Sequence, residues 1–101
     1  MSVYAVTEVR FDEGKKLVIQ AEMGPVIRKG NEWIAAPKLV DVIKVVDAIQ
    51  AGDDVFTMFK IRGKYTPGPK LKIIVLPSGA EGVAIDGPEV KGMTLQDLPK
   101  F

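Results

Sequence analysis

The feature that most constrains this chain is a two-residue alternation through its opening, VYAVTEVRF over residues 3–11. Val3, Ala5, Thr7, Val9 and Phe11 fall on one side of an extended backbone, and Tyr4, Val6, Glu8 and Arg10 on the other, because successive strand side chains point to opposite faces. Asp12-Glu13-Gly14 then reads as a turn, with Gly able to take positive φ. KKLVIQAE over 15–22 alternates again, Leu17, Ile19 and Ala21 against Lys16, Val18, Gln20 and Glu22. The spacing predicts a β-hairpin at 3–22. A lone hairpin is marginal in water, so the remaining chain must supply strands or a helix to bury its greasier face.

Gly24-Pro25 breaks the second strand. Lys29-Gly30-Asn31 reads as a turn, with Glu32-Trp33-Ile34 a short strand beside it. Lys38–Val40 reads as extended. The single 3.6-residue periodicity follows: Val42, Val45, Val46 and Ile49 form one stripe, with Lys44, Asp47 and Gln50 opposite. Asp41 is placed to cap the first turn and Gly52 to end the last in a left-handed conformation. The rival reading is a strand through Leu39–Val46, because β-branched residues disfavour helix. Residues 55–62 read as a strand, Gly63–Pro69 as a loop, 70–76 as a strand, Pro77-Ser78-Gly79 as a turn, and 81–86 as a last short strand. Residues 72–76 are apolar on both faces and read as central in the sheet. Leu95 and Leu98 are expected to pin the closing segment, with Thr94 capping one helical turn.

These elements predict an α+β fold, a small antiparallel sheet of five to six strands with one short helix packed on one face. The 101 residues suit one domain, with 93–101 a loosely packed tail. The second sheet face is expected to be wet, or covered by another copy.

The opening hairpin, the short helix ending Asp47-Ala48-Ile49-Gln50-Ala51-Gly52-Asp53, the strands after it and the closing Leu95-Gln96-Asp97-Leu98-Pro99 resemble a family of small bacterial α+β domains of unknown function. Residues 23–37 and 63–69 fall outside that likeness. The resemblance implies the order of elements and brings no activity, cofactor or site residue.

The chemistry available is narrow. The chain has no cysteine and no histidine, so thiolate nucleophiles, disulfides and imidazole bases or ligands are excluded. The start MSVYAVTEVR lacks the basic and apolar regions of a signal peptide. Apolar runs fall far short of the roughly 20 residues of a membrane helix. A cytoplasmic protein without membrane contact is expected. Asp12-Glu13 and Asp53-Asp54 are adjacent carboxylates, but both sit at turns where acids are ordinary. Ser78 lies in Pro-Ser-Gly without a nucleophile elbow. Gly79-Ala-Glu-Gly82 precedes a strand, whereas a phosphate loop opens a helix. No metal site and no cofactor are expected. Trp33, the only tryptophan, reads as a core anchor beneath the helix.

One unevenness remains. Between Val55 and Ala80 stand five basic residues and no acid: Lys60, Arg62, Lys64, Lys70 and Lys72. If the strand persists, Lys60, Arg62 and Lys64 share a face, Lys70 and Lys72 share one on the partner strand, and Tyr65 lies in the loop between. Such a ribbon suits phosphates and a stacked base, or is a lysine-guarded solvated edge. The functional expectation is a non-catalytic binding or assembly module, a homo-oligomer. The alternatives are weak nucleic-acid binding through residues 60–72, and an enzyme or small-molecule site formed between subunits.

Overall fold

The computed structural model describes residues 2–14, 17–27 and 32–101. In chain order they form β1 (Val3–Phe11), β2 (Val18–Pro25), β3 (Lys38–Asp41), α1 (Val42–Gln50), β4 (Asp54–Ile61), β5 (Lys64–Val75) and β6 (Glu81–Ile85), then one 3-10 turn (Leu95–Asp97). The six strands lie in the order β3-β2-β1-β4-β5-β6. Four neighbouring pairs are antiparallel, as alternation and short turns dictate. The central pair, β1 with β4, is parallel: Val3–Val6 lie beside Asp54–Thr57. The fold is α+β with a mixed, mostly antiparallel sheet. The turn expected at Lys29-Gly30-Asn31 lies outside the described residues.

The alternation of β1 does not run unbroken. Its register against β2 shifts between Val6 and Glu8, so Thr7 is an inserted residue and the strand changes face there. Val3 and Ala5 pack outward with Val26 and Met58. Tyr4, Val6, Val9 and Phe11 all contribute to the inner core. A second shift opposite Arg10 and Phe11 leaves Ile19 unpaired and 42% exposed. The single-face assignments made from sequence thus hold only on either side of each bulge.

The helix forms where the stripe predicts. Val45 and Val46 are almost wholly buried in the inner core, with Val42 and Ile49 half-buried beside them. Burying each such valine contributes about 1.5–3 kcal/mol, which a nine-residue helix needs because it is marginal alone. Its end is a Schellman motif: Asp53 N–H donates to Ala48 O (3.0 Å) and Gly52 N–H to Ile49 O (3.0 Å), with Gly52 at φ +93°. Its start differs from expectation. Asp41 occupies the cap position without a capping bond; its Oδ1 accepts from Gln20 Nε2 (3.2 Å) instead.

The inner face holds the main core, Val6, Val9, Val18, Val45, Val46, Val55, Phe59, Leu71, Val83 and Leu98. The sheet curls around it, since β6 contacts both α1 and β2, although three strands lie between β2 and β6. Residues 72–76 are therefore not central: 71–75 pair with β6 alone, and Val75 is 73% exposed. Trp33 also departs from its expected place. It packs on the outer face, opposite the helix, against Val3, Ala5, Val26 and Met58. The closing segment is held firmly: Leu98 is 1% exposed, Val9 N–H donates to Pro99 O (3.0 Å), and Phe101 N–H to Val9 O (3.3 Å). Among the described residues no helix is long and apolar enough to cross a membrane.

Candidate functional site

The ribbon of β4 and β5 is closed by Arg62-Gly63, both at positive φ, +52° and +80°. That combination is a type I′ turn, whose twist matches that of paired strands. Ile61 returns opposite Lys64, Lys60 opposite Tyr65, and Phe59 opposite Thr66. Two expectations are corrected here. Residues 64–69 are strand, not loop, so Tyr65 is a strand residue. Lys60, Arg62 and Lys64 do not share a face: Arg62 is in the turn, and Lys64 returns on the side of Ile61 and Phe59. Pro67 fits because β6 pairs only with Leu71–Val75 and the last bond on that side runs from Asp86 N–H to Lys70 O (2.8 Å), so Lys64–Pro69 has an open outer edge. A proline nitrogen turned to such an edge forfeits no ladder bond.

The outer face gathers a different set. Lys60, Tyr65, Lys70 and Lys72 project from it together, since Lys60 is paired with Tyr65, Lys70 with Phe56, and Lys72 lies one alternation on. Lys60 Nζ stands 5.8 Å from the Tyr65 ring centroid. The Trp33 ring meets Tyr65 edge-on, with centroids 6.0 Å apart and planes at 88°, an attractive arrangement of the two quadrupoles. Lys70 Nζ lies 3.2 Å from Asp54 Oδ1, an exposed pair of small energetic weight. Among the described residues Lys60 and Lys72 meet no carboxylate at ion-pair distance.

Beside this strip the sheet forks. β1 and β4 run together only to Val6 and Thr57; beyond them β4 stays with β5, and β1 with β2. The segment 98–101 enters the gap alongside β1, bridged to it at Val9 and Lys100, and Pro99 forms one wall of a cleft of about 190 Å³. Thr7, Glu8, Glu22, Met58, Lys60 and Tyr65 form the rest. Glu8 and Glu22 are direct cross-strand partners, like charges side by side at some cost. Thr7 Oγ1 donates to Glu22 Oε1 (3.1 Å) and orients that carboxylate. The outer face is thus divided, acidic over β1 and β2 at Glu8 and Glu22, basic over β4 and β5. The fork residues of β1 and β2 were not singled out from sequence, because nothing local announces the parallel pairing that brings them to Lys60.

The other sequence candidates are engaged structurally. Asp12 Oδ1 accepts from Leu17 N–H (3.2 Å), and Asp53 Oδ1 from Ser2 N–H (2.8 Å). Ser78 Oγ accepts from Ala80 N–H (3.4 Å) within its turn. A larger cleft of about 480 Å³ lies between the β1–β2 turn and the closing segment. Its walls hold each other: Arg10 Nε donates to Phe101 O (3.0 Å) and its guanidinium sits 4.9 Å from the Phe101 ring centroid. Asp97 Oδ2 accepts from both Thr94 Oγ1 (2.7 Å) and Thr94 N–H (3.0 Å). These bonds, the hydroxyl's first, hold its carboxyl below the usual carboxylate range. Among the described residues no group of three or more acidic side chains is placed to hold a metal ion.

No known protein family, no functionally characterised protein and no solved structure matches the chain.

Proposed function

We propose that the chain is a non-catalytic binding module that holds single-stranded nucleic acid across the outer face of β4 and β5. The observation behind this reading is the shared projection of Lys60, Tyr65, Lys70 and Lys72 from one open face, with Trp33 against Tyr65. Lysines along an extended ribbon follow a backbone of phosphates, and aromatic rings beside them offer stacking to any base. Arg62 and Lys64 add charge at the tip. Lys60, Lys70 and Lys72 along this strip favour an anionic partner over a second copy of the chain, whose matching strip would carry the same charge.

The strip is short, so affinity is modest and strongly dependent on salt. With Lys60, Lys70 and Lys72 each neutralising one phosphate, the slope of log K against log salt is roughly −2 for a single strand. Fluorescence anisotropy of a labelled dT oligonucleotide, titrated with protein at several salt concentrations, measures it. Exchanging Lys60 and Lys72 for Glu should abolish the signal, whereas Arg62→Glu with Lys64→Glu should only weaken it. A flat salt response, or undiminished binding by the Lys60/Lys72 double variant, overturns the reading.

A further inference from the structure

The cleft in the fork carries chemistry that phosphate binding does not use. A site built only for a polyanion gains nothing from Glu8 and Glu22 beside Lys60, because carboxylates repel phosphates. Yet Lys60 serves both surfaces: it belongs to the basic strip and lines the cleft. Glu22 is held by Thr7 through Oε1, and its Oε2 has no partner among the described residues. Met58, 1% exposed, lies at the floor, and Tyr65 and Pro99 supply apolar walls. At about 190 Å³ the cleft is smaller than the roughly 300–1,000 Å³ of sites enclosing drug-sized ligands. It suits one planar ring system entering edge-first.

Among nucleobases, one edge matches these groups. A carboxylate accepts two parallel hydrogen bonds when adjacent donors face it, and an ammonium beside it needs an acceptor next to those donors. The Watson–Crick edge of guanine presents N2–H and N1–H together with O6 as the neighbour. Adenine and cytosine present one amino donor beside an unprotonated ring nitrogen, which a carboxylate repels. Thymine and uracil present a single N–H between two carbonyls, again repulsive to the second carboxylate oxygen. We infer that the fork cleft is a base pocket selective for guanine, with Glu22 accepting from N1–H and N2–H, Lys60 donating to O6, and Glu8 strengthening the demand for donors. This inference rests on the nucleic-acid reading above and adds to it a base preference, which unpaired single-strand bases allow by exposing that edge.

The test uses dT dodecamers carrying one central dG, dA or dC. The dG oligonucleotide should bind about tenfold more tightly than all-dT, in the range one bidentate base contact gives. Glu22→Gln keeps the side-chain shape but replaces one acceptor by a donor. It should remove the dG preference while leaving all-dT affinity unchanged or slightly raised. Equal binding of all four oligonucleotides, or a dG preference that survives Glu22→Gln, overturns the cleft assignment and leaves the ribbon reading standing. If no oligonucleotide binds, the ribbon reading falls, and titration with guanosine, which has no phosphate, decides the cleft separately. Amide shifts at Thr7 and Glu22 with guanosine and not with adenosine support it; their absence overturns it.

Discussion

Replacing Gly24 by Ala should dislodge the outer-face packing that positions Trp33. Gly24 lies in β2 opposite Ala5, which has no solvent exposure. A Cβ there would stand 2.8 Å from Pro37 Cα, 3.1 Å from Pro37 N and 3.1 Å from Trp33 Cζ3. The closest atoms are backbone, so no rotamer change relieves the clash and segment 33–37 must move away from β2. Overpacking of this kind costs about 1–3 kcal/mol. The reduced unfolded-state entropy of Ala returns about 0.4–1 kcal/mol. The net loss is about 1–2 kcal/mol, a fall in Tm of roughly 5–15 °C for a domain of this size. Trp33 is the only tryptophan, so its emission reports the local event and far-UV circular dichroism the global one. The native emission should shift to the red as the ring leaves Val3, Ala5 and Met58, and oligonucleotide affinity should fall with loss of the Tyr65 contact. Gly14→Ala is the control, because its nearest atom is Asp12 Oδ1 at 3.9 Å and Gly14 is not among the positive-φ glycines. If Gly24→Ala is as stable as the parent with unchanged emission, the close approach of β2 to Pro37 is wrong.

Arg62→Gly should raise stability by about 0.5–1 kcal/mol in urea unfolding, because Arg62 holds φ +52° where a side chain costs about 1–2 kcal/mol, less the extra unfolded-state freedom of Gly. A loss instead would mean the turn is not type I′. Asp97 should titrate below an ordinary aspartate in a carboxyl-detected NMR titration, and Thr94→Ala should return it toward the ordinary value. The sign follows from linkage: a depressed folded-state value means the stabilisation is full above the unfolded-state pKa and lost as pH falls through the folded one. The turn at Leu95–Asp97 should therefore loosen only in acid, and loosening on raising the pH would contradict the assignment.

What the sequence made legible was local. The hairpin, the valine stripe of α1, the glycine ending at Gly52 and the Thr94 turn each depend on residues within a few positions of one another, so pattern and propensity suffice. The bulge at Thr7 was hidden because Val3 to Phe11 alternates on paper without interruption; only the register against β2 reveals the extra residue. The Arg62-Gly63 turn was hidden because Arg is an unusual occupant of positive φ, and the prolines at 67 and 69 imitate a loop. The parallel pairing of β1 with β4 is a non-local fact with no signature of its own. The basic residues were legible as a charge asymmetry, but not as a face, because a two-residue turn inverts which of them project together. Glu8 and Glu22 read as ordinary solvent-side acids until the fork places them against Lys60.

The bulge and the fork have one physical origin. β1 has β2 on one side throughout, but its other side is shared, first by β4 and then by the segment at Pro99. A two-stranded ribbon twists more strongly than a wide sheet, so β4, committed to β5 by the tight turn at Arg62-Gly63, leaves β1 once the parallel register ends at Thr57. An unbulged β1 would carry Val9 and Phe11 to the outer face, beside the departing ribbon, and leave the inner face without them. Absorbing Thr7 as a bulge cancels that change of parity: Val9 turns inward to the core with Leu98, and Glu8 and Thr7 are left lining the gap. The bulge that keeps the core faces inward thus also lines the cleft, and the hydroxyl that orients Glu22 belongs to the bulged residue. Deleting Thr7 should therefore straighten β1 and remove one wall of the cleft while plain alternation keeps Val9 and Phe11 inward and the core folded, whereas Thr7→Val, which keeps the bulge and loses only the bond to Glu22, should spare both fold and cleft and cost the guanine preference.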